Sequence, residues 1–193
     1  MKQILIIALL ISSQAFGQLT DYNEQRFDTD KKLMFTLGSW AGANFIAGGV
    51  GWAITPESEA KYFHQMNVLW NTVNAALAIP GYLSARKGNA NLSYSETIQA
   101  QHRTEKVFLI NTGLDIGYMA GGLLLRSYAD RFPERQNIMN GYGSSLILQG
   151  GFLFVFDLTA YFIHNRHRKG KLTPLLDNLS MSSTGIGLRY RID

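Results

Sequence analysis

The side chains in this chain that could carry chemistry are polar groups set within long apolar stretches. In residues 61–78, KYFHQMNVLWNTVNAALA, one His and three Asn follow each other at steps of three, four and three residues: His64, Asn67, Asn71 and Asn74. An α-helix has about 3.6 residues per turn, so these steps place all four on one stripe. In lipid, every amide needs a partner within the protein. We therefore expect other helices to pack against this stripe.

Further polar side chains lie within the other apolar segments. They are Asn44 on the first segment, Asn111 and Asp115 on the third, and Gln149 and Asp157 on the fourth. Asn111 and Asp115 are separated by one helical turn and share a helix face. Asp157, Tyr161 and His164 also line up on one face of the fourth segment.

Two interpretations of these groups remain open. Asn, Gln and Asp can join helices in lipid through hydrogen bonds worth about 0.6 kcal/mol each, and the polar core would then be structural. Ionisable groups in a membrane span are costly and often functional. Asp115 and Asp157 could therefore titrate in a conduit or sensor for protons, ions or a small polar solute.

Metal and enzyme chemistry are less favoured. The chain has no Cys, which excludes thiolate catalysis and Cys-ligated metals. It contains no phosphate loop, nucleophile elbow or triad motif. A metal site joining Asp115 or Asp157 to His64 or His164 lacks the ligand spacing of di-iron bundles, so we expect neither metal nor cofactor. The net charge of +4 is spread through the connectors and predicts no nucleic-acid partner.

Four apolar segments must position these groups. They cover about residues 33–54, 66–85, 107–125 and 144–163. Each has roughly 20 residues, the length that crosses a hydrocarbon core of about 30 Å. Pro80 is expected to kink the second segment or to end it early.

The segments form related pairs. Ala47-Gly48-Gly49 recurs as Ala120-Gly121-Gly122, and Met66-Asn67 recurs as Met139-Asn140, both at an offset of 73 positions (47 to 120 and 66 to 139). This repetition predicts a duplicated helical hairpin, residues 33–87 and 106–169. The predicted fold is an all-α membrane protein, a four-helix bundle built from the duplicated hairpin, with a short C-terminal β element.

The ends of the chain differ from the predicted four-helix transmembrane domain of residues 32–171. Residues 1–17 have the charged start, apolar core and small-residue cleavage site of a signal peptide. Residues 18–31 are expected to be a polar lead-in on the surface. Residues 172–193 are a strand-like tail, in which apolar residues alternate with polar residues or Gly up to Tyr190 and Ile192.

The distribution of basic residues conflicts with a simple inner-membrane topology. A cleaved signal peptide would place most of the 18 Lys and Arg residues outside the cytoplasm, the reverse of the positive-inside rule. His164 and His167 lie beside the basic residues 166–171 and are interpreted as a membrane-surface pair. The expected location is a cell-envelope membrane after signal-peptide export, with the inner and outer membranes both left open.

Three long segments of the chain resemble a known group of proteins. Residues 61–78 (KYFHQMNVLWNTVNAALA), 111–122 (NTGLDIGYMAGG) and 146–164 (LILQGGFLFVFDLTAYFIH) are similar to an uncharacterised envelope family of the Bacteroidetes type. The resemblance covers about residues 30–170. It implies a small exported membrane protein with four helices and no assigned activity, and it implies no role for the polar residues within these three segments.

From these patterns we expect a small integral membrane subunit of a cell-envelope complex, with a structural polar core and no catalysis. The alternative is the conduit or sensor that uses Asp115 and Asp157, and an enzyme is the third class. The expected partners are the lipid bilayer and either other envelope proteins or further copies of the same chain.

Overall fold

The computed structural model describes the backbone of residues 2–177, 179–182 and 185–188 and the side chains of residues 17–176. Four long helices dominate it: α1 (Lys2–Ile54), α2 (Glu59–Arg86), α3 (Tyr94–Tyr128) and α4 (Gln136–His167). The 3-10 turns Ala129–Arg131 and Pro133–Arg135 connect α3 to α4. A π-helical turn, Arg168–Leu172, joins α4 to the short α5 (Thr173–Asp177). The predicted all-α class with four long helices is confirmed.

A local sequence signal accounts for where α3 begins, whereas Pro80 in α2 does not mark a helix end. Ser93 and Glu96 form a capping box at the start of α3, in which each side chain accepts a hydrogen bond from the backbone N–H of the other residue. Pro80 lies inside α2 but does not end it, because the helix continues to Arg86. Of the two effects expected of Pro80, a kink or an early end, the early end does not occur.

The helices pack as two hairpins. α1 lies mainly against α2, α3 lies mainly against α4, and contacts between α2 and α4 join the two pairs. The largest buried apolar cluster is drawn from all four helices: Leu33, Leu37, Ala78, Phe108, Phe156 and Ala160.

The outward faces of the helices are strongly apolar. Five examples that are more than half exposed are Ile46, Leu77, Ile110, Leu123 and Val155. In the described part of the chain, α1, α3 and α4 are long and apolar enough to cross a membrane. The second predicted span, residues 66–85, is not among them, because its Asn side chains and Pro80 lower its hydropathy.

Three of the helices continue beyond the apolar segments and form what we call the three-helix extension: residues 17–31, 94–105 and 164–176. Residues 18–31 are not a surface lead-in, because Leu19, Tyr22 and Asn23 are fully buried. Together with Arg26, these residues follow the i, i+3, i+4, i+7 pattern of one helix face. That face packs in a small second core with Leu172.

The tail after α5 contains two short strands, β1 (Leu179–Ser182) and β2 (Gly185–Leu188), in antiparallel register. Within the described residues these strands pair with each other. Tyr190 and Ile192, part of the predicted alternation, lie outside the described residues.

Candidate functional site

The predicted polar stripe of α2 faces α4, and Gln149 lies at the centre of the contact. The Gln149 side chain is fully buried on α4. Its Nε2 donates to Asn67 Oδ1 at 2.9 Å and to Asn44 Oδ1 at 3.1 Å, and its Oε1 accepts from Trp40 Nε1 at 2.8 Å. One glutamine therefore joins α1, α2 and α4.

The same network continues along α2 through its buried asparagines. Ser145 Oγ donates to Asn67 Oδ1 at 2.6 Å. Asn71 Nδ2 donates to the backbone oxygen of Asn67 at 2.8 Å, and Asn74 Nδ2 donates to Asn71 Oδ1 at 2.9 Å. Buried amides that are this well paired rigidify a helix interface. The network is therefore suited to fixing how α2 packs against α4.

His64, the fourth member of the predicted stripe, does not join the network. It is partly exposed, and its ring fills the space beside Gly51 on α1. A Cβ added at Gly51 would lie 2.5 Å from that ring. His64 therefore contributes to the packing of α1 on α2.

The two acidic residues of the apolar segments meet in a cavity of about 290 Å³ beside the amide network. Asp115 on α3 and Asp157 on α4 are 2% and 4% exposed and interact directly with each other. Asn111 lies next to Asp157, and Asn74 connects the cavity to the amide network. The other walls are apolar or aromatic, chiefly Trp70, Phe108, Tyr118, Leu153 and Phe156.

Two polar atoms among the lining residues of this cavity lack partners. Asp115 Oδ2 and Trp70 Nε1 are buried without a hydrogen bond among the described residues. Each unsatisfied buried group in a folded protein calls for an explanation. Asp115 Oδ2 is an acceptor and Trp70 Nε1 is a donor, so a small polar ligand in the cavity could form a hydrogen bond with each.

The charges of Asp115 and Asp157 limit which ligand could bind in this cavity. Two carboxylates in contact repel each other strongly where the local dielectric is low. A proton or a cation held between them relieves that repulsion. In the described part of the chain, no group of three or more His, Asp or Glu side chains gathers where a metal ion could be held.

A third polar cluster, in the three-helix extension, was not predicted from the sequence. Tyr22 Oη donates to Gln101 Oε1 at 2.6 Å, and Gln101 Nε2 donates to Glu105 Oε1 at 2.9 Å and to the His164 backbone oxygen at 3.0 Å. Arg168 Nε donates to Glu105 Oε1 at 2.8 Å. The detectable signal was the spacing of Thr97, Gln101 and Glu105, which places one polar residue on every turn of α3.

The pKa values of Glu105 and His167, two ionisable groups of the three-helix extension, differ from those of free side chains. Both residues lie outside the apolar segments. Burial raises the pKa of Glu105, but hydrogen bonds from Arg168 and Gln101 outweigh that effect and hold the pKa below its ordinary value of 4.5. Burial, followed by the nearby charge of Lys171, lowers the pKa of His167 below 6.5.

The two histidines at the end of α4 are not a pair on the surface. His164 is 0% exposed, and its Nε2 lies 3.1 Å from Asp30 Oδ1. The ring of His167 stacks on Tyr22 with a centroid distance of 4.3 Å. The prediction failed because α1 continues past the apolar segment and covers this part of α4.

Residues 36–158 match the model of a protein family described as "Family of unknown function (DUF6992)". The matched range contains the Gln149 network and both carboxyl groups of the cavity. The expectation of a family without an assigned activity is confirmed. No curated protein and no solved structure matches the chain.

Proposed function

This chain belongs to the DUF6992 family of unknown function, and we propose that it is a membrane-embedded conduit or sensor for protons, ions or a small polar solute. The observation that carries the proposal is the cavity in which Asp115 and Asp157 meet, with Asp115 Oδ2 buried and without a hydrogen bond to any described residue. A purely structural pair needs no open space and leaves no acceptor unsatisfied.

Membrane embedding is supported by the surface of the bundle. Three helices are long and apolar enough to cross a bilayer, and their outward faces carry large exposed apolar side chains. In water, contiguous apolar surfaces of this kind would cause aggregation, whereas in lipid they are the expected exterior. The two carboxyl groups would then lie at membrane depth, where an ionisable side chain is usually functional.

A second candidate function has its own supporting observation. The amides of Asn67, Asn71, Asn74 and Gln149 are paired with one another or with their neighbours. Such a network suits a structural subunit of a cell-envelope complex, in which polar groups determine helix packing. The two functions differ in one respect: the conduit or sensor is proposed to work through a change in the protonation of Asp115 and Asp157, and the structural subunit is not.

Infrared spectroscopy of the full-length protein in reconstituted membranes tests the proposal. On acidification, a carboxyl group that takes up a proton gains a C=O stretching band, which Asp115→Asn and Asp157→Asn should each alter. The matched control is Glu134→Gln, which replaces an exposed carboxylate in the connector between α3 and α4. Circular dichroism of each variant establishes that it is folded.

We expect the band of the wild type to persist in Glu134→Gln and to shift or disappear in the two Asp variants. If neither Asp variant differs from Glu134→Gln at any pH, the pair does not titrate. The structural subunit is then the better function.

The cellular location is a further part of the proposal. Export to the cell envelope is supported by the signal-peptide pattern of residues 1–17. Partners in the envelope, or a second copy of the chain, could pair with the edges of β1 and β2 that are unpaired within the described residues. Separation of inner from outer membranes, with N-terminal sequencing of the mature chain, tests this location. A chain recovered from the soluble fraction would contradict it.

A further inference from the structure

Arg26 is a buried cation that the described part of the chain pairs only in part, through Asp30 and through a contact of its guanidinium with the Phe27 ring at 4.4 Å. The residue is 5% exposed, and its Nε is buried without a hydrogen bond among the described residues. Its nearest acidic partner is Asp30, whose Oδ2 lies 3.7 Å from Arg26 Nη1. The guanidinium carries five N–H donors, and a buried charge without good partners is costly. The Arg26 guanidinium can therefore donate a hydrogen bond to an acceptor that comes from outside the chain.

A second cavity, of about 300 Å³, opens at this position between α1, α2 and α3. Arg26, Arg103, Ser84 and Thr104 contribute its polar lining. Met34, Val107 and Phe108 are among its apolar lining residues, and they belong to the apolar segments. The cavity thus combines a cationic part with an apolar part at the level where the apolar segments end.

A groove between α1 and α2 shares Met34 with this cavity. Its lining includes Gly38, Ala78 and Ile79, within the apolar segments. The two spaces together offer a cationic site at the boundary and an apolar path next to it. That combination matches a phosphate headgroup with an attached acyl chain, since basic pockets between membrane helices bind anionic lipid headgroups.

We infer that the Arg26–Arg103 cavity binds the phosphate headgroup of an anionic glycerophospholipid, with one acyl chain along the α1–α2 groove. Arg26 and Arg103 supply the positive charge, and the hydroxyl groups of Ser84 and Thr104 supply further donors. Asp30 also lines the cavity and opposes an anion, but its carboxylate lies between Arg26 and His164 Nε2. The inference rests on the membrane embedding proposed above and not on the titration of Asp115 and Asp157.

Native mass spectrometry of the full-length protein in detergent tests this inference, with phosphatidylglycerol and phosphatidylcholine as probes. We expect the wild type to retain phosphatidylglycerol at about tenfold lower lipid concentration than phosphatidylcholine, which is the effect of one charge-assisted contact. Arg26→Gln and Arg103→Gln should each remove this preference. Arg103 is exposed, so its substitution tests the site even if Arg26→Gln fails to fold.

The matched control is Arg166→Gln, which removes an exposed charge from the end of α4 outside the cavity. If Arg166→Gln loses the lipid preference as fully as Arg103→Gln, the effect is nonspecific attraction and the inference is wrong. Inorganic phosphate is added as a competitor. If phosphate alone displaces the lipid at millimolar concentration through Arg26 and Arg103, the ligand is free phosphate and the lipid inference is also wrong.

Asp115→Asn separates this inference from the proposed function. The variant should retain phosphatidylglycerol as the wild type does, whatever the infrared titration shows. A lipid preference that disappears in Asp115→Asn would mean that the lipid occupies the carboxyl cavity, which contradicts the assignment to Arg26 and Arg103.

Discussion

Gln149 on α4 donates its side-chain amide to Asn67 Oδ1 on α2 at 2.9 Å, and this bond joins the two helical hairpins in their buried centre. Asn67 Oδ1 also accepts from Ser145 Oγ at 2.6 Å. A single acceptor on α2 thus receives two donors from successive turns of α4, which sets the register between the two helices.

Replacing Gln149 should destabilise the bundle. Gln149→Leu would leave Trp40 Nε1 without its acceptor and Asn44 Oδ1 without its donor. We expect a loss of about 1–3 kcal/mol, the cost of unsatisfied buried polar groups, seen as a lower thermal unfolding midpoint in detergent. The control is Gln99→Leu, at an exposed site of α3. Equal midpoints for the two variants would contradict a stabilising role for the network.

Gly122 and Gly143 bring α3 and α4 into backbone contact. A Cβ at Gly122 would lie 2.6 Å from the Gly143 oxygen, and a Cβ at Gly143 would lie 2.6 Å from the Gly122 oxygen. Gly122→Ala should therefore cost roughly 1–3 kcal/mol through forced separation of the helices. Its neighbour Gly121 has open space around its Cβ position. Gly121→Ala should be neutral or stabilise by up to about 1 kcal/mol through helix propensity.

Thermal unfolding of these two alanine variants in the same detergent measures the difference. The two substitutions are chemically identical and adjacent, so their effects on helix propensity are matched. The difference in stability between the variants therefore reports the contact of α3 with α4 at Gly122. A Gly122→Ala variant as stable as Gly121→Ala would show that the helices separate at no cost.

His167 should make stability depend on pH. Its pKa is below 6.5 in the fold, first because of burial and then because of the charges of Lys171, His164 and Arg26. As pH falls through 6.5 the unfolded chain binds a proton that the folded chain does not bind, so the free energy of unfolding decreases. Thermal unfolding midpoints should fall as the pH is lowered from about 8 to about 5, the range in which His side chains usually titrate.

The variant His167→Phe keeps an aromatic ring against Tyr22, where the native rings are 4.3 Å apart, but removes the ionisation. We expect a smaller loss of stability on acidification than in the wild type. An unchanged pH dependence in His167→Phe would mean that other groups cause it.

Glu105 should stabilise the three-helix extension as a carboxylate. The net effect of burial and of the hydrogen bonds from Arg168 and Gln101 is a pKa below 4.5. Its stabilisation is therefore fully present above pH 4.5 and is lost as pH falls through the lower pKa of the folded state. Glu105→Gln should unfold at a lower temperature than the wild type at pH 7, with a smaller difference in acid. Glu134→Gln should show no such difference at either pH.

Helical periodicity made a large part of the fold predictable. The positions of Asn67, Asn71 and Asn74 predicted one buried stripe, and all three are buried. The spacing of Leu19, Tyr22, Asn23 and Arg26 defines a helix face in the same way, but the polar composition of residues 18–31 favours a surface segment. Composition averages over both faces of a helix, whereas packing depends on one face.

The repeated Ala-Gly-Gly motif shows where local pattern stops being informative. In the first copy Gly48 lies against α2, and Gly49 is open. In the second copy Gly121 is open, and Gly122 contacts α4. The copies match in sequence but not in which glycine makes the helix contact, because the rotation of each helix about its axis depends on its partner.

Residue spacing along the chain specifies the four helices, their apolar faces and the polar stripe, because backbone geometry converts spacing directly into helix faces. Tertiary packing alone brings Asp115 to Asp157 and Gln149 to Asn67, and it buries Arg26 Nε without a hydrogen bond among the described residues. Each of these relations joins residues on different helices. They depend on the rotation, tilt and extent of packed helices, which no local spacing records.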